Sequence, residues 1–334
     1  MAPTKQPKQG GEGNGEDHRK FGRSQVTENQ RTPFTYIKIM NKKIIIITGP
    51  TASGKTSLAV NLCKKYGGEI ISADSRQVYK GLDIGTGKDL KEYGDVPYYL
   101  IDICKPEERF TVFDFVKIAQ EKIDEITARN KIPFVVGGTG LYIQALIEGF
   151  ELKKNKVLED RAYSREELSN KSLKQLQDIY NRLKIKNPKI DLKNPRRIIS
   201  AIEKKQLGLT ATKSKPDFEA LHLAVSIPRK NLYEKIDARV EQRFQEGMLE
   251  EVEGLTKKGV DLKWLKSLGL EYGIIANFLE RKNGESLPEM KQKLKYKIHA
   301  YARRQLTWLR RFEEIKWISS QKETETIIDN FIKK

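Results

Sequence analysis

The sequence predicts an α/β protein, a parallel sheet covered by helices on both faces into which a small helical domain is inserted. Three observations carry this. The run Ile44-Ile-Ile-Ile47-Thr48 cannot alternate between core and solvent, so it reads as a strand buried on both faces, as parallel sheets require. It leads at once into Gly49-Pro-Thr-Ala-Ser-Gly54-Lys55-Thr56 and then a helical pattern begun by Leu58, Ala59 and Leu62. Strand signals then stop over residues 151–214, a polar and lysine-rich stretch, and resume with Ala220-Leu-His-Leu-Ala-Val-Ser-Ile227. The expected organisation is an extension at 1–40, a core at 41–150 and 215–334, and an inserted body at 151–214.

Taken in order, residues 1–40 contain Gly10-Gly-Glu-Gly-Asn-Gly15 and few apolar side chains, so they cannot offset their own ordering entropy and are expected to be disordered. The strand, glycine-rich turn and helix that follow make a P-loop NTPase-like core. G-x-x-x-x-G-K-T spacing lets Gly49 and Gly54 adopt angles that a β-carbon resists, so that successive N–H groups point at an anion beside a helix N-terminus. Lys55 is then placed to bridge phosphate oxygens and the Thr56 hydroxyl to ligate Mg²⁺ or phosphate. Nucleoside triphosphate is the usual guest of such a loop, but any pyrophosphate suits it.

A second strand, Glu69 to Ser72, delivers Ala73-Asp74-Ser75-Arg76-Gln77 to the carboxyl edge of the sheet, where ligands of open parallel sheets bind. Asp74 there can bind Mg²⁺ through water, take a proton from a nucleophile, or cap a turn. Tyr79 to Lys88 is too glycine-rich for a regular element and reads as a substrate loop or an ordinary surface connection. Tyr98 to Ile103 reads as a third strand ending near Asp102, a further candidate for Mg²⁺ or for orienting Lys55. Thr111 and Asp114 form a capping-box variant ahead of an amphipathic helix, and Pro133 to Val136 is the fourth strand. It ends in Gly137-Gly-Thr139-Gly140, which brings a second hydroxyl, or an N-cap, to the same rim.

Within 151–214, helical stretches are expected near Arg165 to Leu183 and from Pro195 to Gln206. Asn194-Pro-Arg196-Arg197 starts the latter with adjacent cations, suited to a phosphodiester backbone or to a solvated helix end. Leu232, Ile236, Val240 and Phe244 recur every fourth residue with Arg239 and Arg243 on a neighbouring stripe; if the apolar stripe packs on the sheet, the arginines flank it. Leu294, Ile298, Tyr301, Gln305 and Trp308 mark a long C-terminal helix.

Composition bounds the partners. Lys and Arg number 63 against 45 Asp and Glu, a net charge of +18, which favours a polyanion such as nucleic acid. Two cysteines argue against a disulfide framework and for a reducing compartment. No apolar run approaches the ~18 residues that span a membrane, so a soluble, cytoplasmic protein is expected.

Taken together, Gly49 to Thr56, Ser72-Ala-Asp74-Ser75, Tyr79-Lys-Gly-Leu-Asp-Ile-Gly-Thr86, Gly137-Gly-Thr139, Asn194-Pro-Arg-Arg197 and Arg304-Gln-Leu-Thr-Trp308 resemble the tRNA dimethylallyltransferase (tRNA isopentenyltransferase) family over roughly residues 43–318. The resemblance implies transfer of a dimethylallyl group from dimethylallyl diphosphate to N6 of the adenine 3′ of the anticodon, in tRNAs reading codons that begin with U, by a monomer using Mg²⁺. It makes Gly49, Pro50, Thr51, Ala52, Ser53, Gly54, Lys55 and Thr56 the diphosphate cradle, with Thr56 on the metal. Asp74 becomes the general base, Thr139 a contact to the acceptor, and Arg243 a diphosphate ligand. It places tRNA against Asp74, Ser75, Arg76, Gln77 and Thr139, and, in the inserted body, against Arg165, Arg196, Arg197, Ile198, Ile199 and Ser200. The chain departs from the family pattern at Tyr98-Tyr99, Ser200, Leu270 to Tyr272 and Ile298-His299-Ala300. Rival readings are a small-molecule P-loop kinase, an isopentenyltransferase acting on free adenylates, and a non-catalytic tRNA-binding protein.

Overall fold

The computed structural model describes residues 42–154, 163–187, 190–280 and 284–334; the expected extension at 1–40 lies outside them. Six parallel strands, β1 (Lys42–Thr48), β2 (Gly68–Ser72), β3 (Tyr98–Tyr99), β4 (Ile132–Gly137), β7 (Phe218–Val225) and β8 (Lys316–Ile318), form one sheet in the order β3-β2-β4-β1-β7-β8. β1 lies between β4 and β7, which explains why its isoleucines meet no water. All four are fully buried, with Ile45 and Ile47 packed towards α1 (Lys55–Tyr66) and α12 (Gln321–Lys333), and Ile44 and Ile46 towards α2 (Val112–Ala128) and α3 (Gly140–Ile147). Each such side chain contributes about 1.5–3 kcal/mol.

The third strand is shorter than its apolar run suggests. It stops at Tyr99 because Leu100 and Asp102 take left-handed φ values of 64° and 57°, which no strand accommodates. Asp102 is thereby turned to Lys88, whose ammonium it pairs with, and it does not line the cleft in which Lys55 lies.

After β4 and α3 the chain leaves the sheet through β5 (Phe150–Lys154), forms α4 (Arg165–Ser169), α5 (Leu173–Arg182) and α6 (Pro195–Gln206), and returns by β6 (Leu209–Lys213), antiparallel to β5. The sequence reading missed this two-stranded ribbon. The helices start where serine or asparagine side chains cap them: Ser164, Ser172 and Asn194 accept from Glu167, Gln175 and Arg196 N–H groups. They bury Leu168, Leu176, Ile179, Ile198 and Ile202 against one another in a cluster separate from the sheet's two faces.

The remaining helices, α7 (Arg229–Gln245), α8 (Met248–Lys257), α9 (Leu262–Leu268), α10 (Leu270–Leu279) and α11 (Leu287–Leu309), build a further core. The α7 stripe of Leu232, Ile236 and Val240 packs here with Met248, Ile275, Leu294 and Ile298, not on the sheet. Among the described residues, no helix is long and apolar enough to cross a membrane.

Candidate active site

The carboxyl ends of β1, β2 and β4 converge because their backbones are cross-bonded. Ala73 N–H donates to Val136 O (2.8 Å) and Thr139 N–H to Ala73 O (3.2 Å). This approach leaves no room for a side chain at Gly137, where a Cβ would lie 2.2 Å from Ala73 O. One cleft of about 1050 Å³, its open mouth included, is bounded by Thr51, Lys55, Thr56 and Asp74, and across from them by Arg239 and Arg243.

In the phosphate loop, Gly54 has φ +83° as expected, but the second left-handed residue is Ala52 (φ +60°) and not Gly49. Gly49 is required for a different reason: a Cβ there would meet Ser53 Oγ at 2.7 Å. Ser53 Oγ is buried without a hydrogen-bond partner, an unmet donor that a bound anion would satisfy. Burial holds the Lys55 ammonium down to a pKa of about 8; Asp74 opposes the shift and Arg239 adds to it. The loop is tied to the neighbouring rim by Gln305 of α11, whose Oε1 accepts Thr51 N–H (2.9 Å) and whose Nε2 donates to Gly138 O (2.9 Å).

Asp74 lines the cleft, and its Oδ1 also accepts Arg76 N–H (2.9 Å), so the turn-capping and cleft-lining roles coexist. Thr139 precedes α3 without capping it. Its Oγ1 accepts Ser75 N–H (3.1 Å), which joins the β2 and β4 rims directly. Arg76 reaches across to Glu271 (2.8 Å), and Gln77 donates to Gly87 O (3.0 Å).

Arg243 is nearly buried, and Nη2 donates to both oxygens of Asp89 (2.5 and 2.6 Å) while Arg239 donates to the same carboxylate (2.8 Å). Sequence reading had not singled out Asp89; a carboxylate inside a glycine-rich loop gave no sign that it would face a helix 150 residues away. Of the loop 79–88, Ile84 to Gly87 line the cleft, whereas Lys80 is exposed and Lys88 is buried against Asp83 (2.6 Å) and Tyr79 O (2.8 Å). Neither lysine meets the cleft.

The residues expected to hold tRNA divide. Arg196 and Arg197 are exposed at the start of α6, and Arg197 shares a groove with Ser200, Lys184, Lys186, Lys204 and Lys205. Ile198 and Ile199, at 0% and 6% exposure, are the packing side of α6, so their side chains are turned into the helical cluster and away from solvent. Arg165 is half-exposed, but its charge is committed to Glu203, a buried carboxylate that also accepts both Arg109 Nη groups (3.2 Å each) and so ties α4 and α6 to the loop before α2.

Fold and site together define a P-loop-type α/β protein whose glycine-rich loop shares one cleft with Asp74 and an arginine pair. The IPP transferase family model matches residues 77–312, and a second, isopentenyl transferase, matches 42–95. The chain is 44% identical over 289 residues to a tRNA dimethylallyltransferase 2 of Treponema denticola, covering 82% of this chain and 95% of that one. It is 42% identical over 278 residues to a tRNA dimethylallyltransferase 2 of Shewanella sediminis, covering 82% and 91%. Among solved structures, the tRNA isopentenylpyrophosphate transferase of Bacillus halodurans is similar at a TM-score of 0.64 and 35% identity, covering 87% of this chain and 95% of its own. A eukaryotic dimethylallyltransferase shares the fold at a TM-score of 0.66 and 23% identity, covering 87% and 79%. This chain belongs to the IPP transferase family.

Proposed function

We propose that this protein transfers a dimethylallyl group from dimethylallyl diphosphate to N6 of the adenine 3′-adjacent to the anticodon (position 37) in tRNAs reading codons that begin with U, giving N6-(dimethylallyl)adenosine. The observation that carries this reading is the meeting of Lys55, Arg239, Arg243 and Asp74 around one cleft in a chain of this family. The relatives' name as tRNA dimethylallyltransferases supports it.

An exocyclic adenine amine is a weak nucleophile, so the reaction needs a well-held leaving group and a base within reach. The N6 nitrogen attacks C1 of the dimethylallyl group, the C1–O bond breaks, pyrophosphate leaves with the bonding electrons, and the N6 proton passes to Asp74. Residues 49–56 and Arg243 hold the diphosphate, Lys55 matches its growing negative charge, and Thr139 together with Ser75 positions the acceptor. Magnesium fits this site through hard oxygens only. Among the described residues, no group of three or more His, Cys, Asp or Glu side chains could hold an ion alone, so Thr56 and the diphosphate would share it with water. When bound, it neutralises part of the leaving group's charge.

Residues 151–214 serve as the tRNA-gripping body. Arg196, Arg197 and the basic groove beside them supply phosphate contacts, which gives the +18 charge its use. The adenine must leave its stack to reach Asp74. The protein works as a cytoplasmic monomer. The deciding experiment incubates it with labelled dimethylallyl diphosphate and tRNA, AMP or no acceptor. Label entering tRNA alone supports the proposal. Label entering AMP moves the activity to free adenylates, and no transfer to any acceptor defeats it.

A further inference from the structure

The segment Asp83–Asp89 forms a strap whose residues Ile84 to Gly87 line the cleft, and what holds it lies outside the residues assigned above. Three successive backbone N–H groups point at one carboxylate: Glu251 Oε2 accepts from Asp83 (2.8 Å) and Ile84 (2.7 Å), and Oε1 from Gly85 (3.1 Å). Such a concave run of N–H groups is a typical anion seat. Here it is filled from within the chain, by a side chain in the first turn of α8, where the helix dipole favours a carboxylate. Tyr272 of α10 completes the clamp. Its ring is fully buried, its hydroxyl donates to Glu251 Oε1 (2.6 Å), and a Cβ at Gly85 would lie 2.8 Å from that ring.

The far end of the strap presses on the arginine pair. A Cβ at Gly87 would come within 2.4 Å of Arg239 Nη2 and 3.3 Å of Arg243 Nη2, and two residues on Asp89 accepts from both guanidinium groups. Gln77 fastens the strap through Gly87 O, and Lys88 braces it from within through Asp83 Oδ1. With the near end fixed by Glu251, the carboxylate that orders Arg239 and Arg243 has a defined place. We infer that Glu251 and Tyr272 are positioning residues that set the strap, and through Gly87 and Asp89 the two arginines, at the height at which they meet the diphosphate.

The inference rests on the diphosphate reading of the cleft, and it predicts a split that general loss of structure would not produce. Glu251→Gln keeps the size but turns an NH₂ group towards one of the three N–H donors. Binding of inorganic pyrophosphate with Mg²⁺, followed by calorimetry, should weaken about tenfold, the scale of one unmet hydrogen bond. The KM for dimethylallyl diphosphate should rise with it, while kcat stays within about twofold and the affinity for an anticodon stem-loop is unchanged. Tyr272→Phe retains the carboxylate and its three backbone donors, so it should show the same split at about two- to threefold, and it serves as the reading should Glu251→Gln fail to fold. Unchanged pyrophosphate affinity in folded Glu251→Gln overturns the inference. So does a parallel fall of kcat, pyrophosphate affinity and RNA affinity in Tyr272→Phe. A parent protein that binds pyrophosphate but modifies no RNA refutes the acceptor assignment while this titration still judges the strap; a parent that binds no pyrophosphate overturns both.

Discussion

Among the described residues Gln305 is the side chain that hydrogen-bonds to both glycine-rich rims, and its replacement by alanine is the sharpest structural test of how the site is held. The side chain is 9% exposed and its two bonds are both 2.9 Å. Truncation orphans Thr51 N–H and Gly138 C=O. Each part-buried unmet group costs about 1–3 kcal/mol, so a total loss of about 2–4 kcal/mol is expected after some rehydration. In a chain of this size that corresponds to a melting temperature lower by roughly 3–6 °C. Pyrophosphate should protect the variant less than the parent, because the loop it would order is now loose. Gln305→Glu refines the test: its carboxylate can still accept Thr51 N–H but opposes Gly138 O until it is protonated. Its deficit in melting temperature should therefore narrow as pH falls from about 8 to about 5. Melting of Gln305→Ala within about 1 °C of the parent, with equal pyrophosphate protection, would show that the loop is held by other means.

Three further expectations follow from the site. Asp74→Asn should lower single-turnover transfer by about 10²-fold or more with pyrophosphate affinity little changed, as loss of a general base requires; equal rates for variant and parent would defeat that role. The depressed pKa of Lys55, about 8, means that the empty site loses its ammonium as pH rises through 8 and must regain a proton to bind an anion. Pyrophosphate affinity relative to a Lys55→Arg variant should thus fall towards about tenfold per pH unit above 8, and a flat ratio from pH 7 to 10 would contradict it. Replacing Arg196 and Arg197 together by alanine should reduce the slope of log K against log salt for an anticodon stem-loop by about two units, one per lost phosphate contact, leaving pyrophosphate binding alone. An unchanged slope would return both arginines to a solvated helix end.

What was legible in the sequence was whatever depends on near neighbours. The isoleucine run announced a strand covered on both sides, and the order strand, glycine loop, helix placed Lys55 and Thr56. The helix over Pro195–Gln206 was readable from Asn194 and Pro195, because a cap and an N1 proline act within one turn. The third strand misled because the apolar run of Tyr98 to Ile103 says nothing of the positive φ at Leu100 and Asp102. The β5–β6 ribbon was hidden among lysines, since a two-stranded ribbon with little buried surface needs no apolar alternation. Least legible were the long-range polar ties. Asp89 to Arg243, Gln305 to Thr51 and Glu251 to Asp83 join residues more than 150 positions apart, and no local period marks such partners. For the same reason the α7 stripe could be found but not the surface it packs on.

The central claim, prenylation of one adenine beside the anticodon, is most directly tested by locating the product. After reaction of unmodified tRNA with labelled dimethylallyl diphosphate, nuclease digestion and mass spectrometry should find one added C₅H₈ on the adenosine 3′ of the anticodon. The product should be absent when that adenosine is changed to guanosine. Label on another nucleotide, or equal labelling of the guanosine-substituted tRNA, would contradict the account.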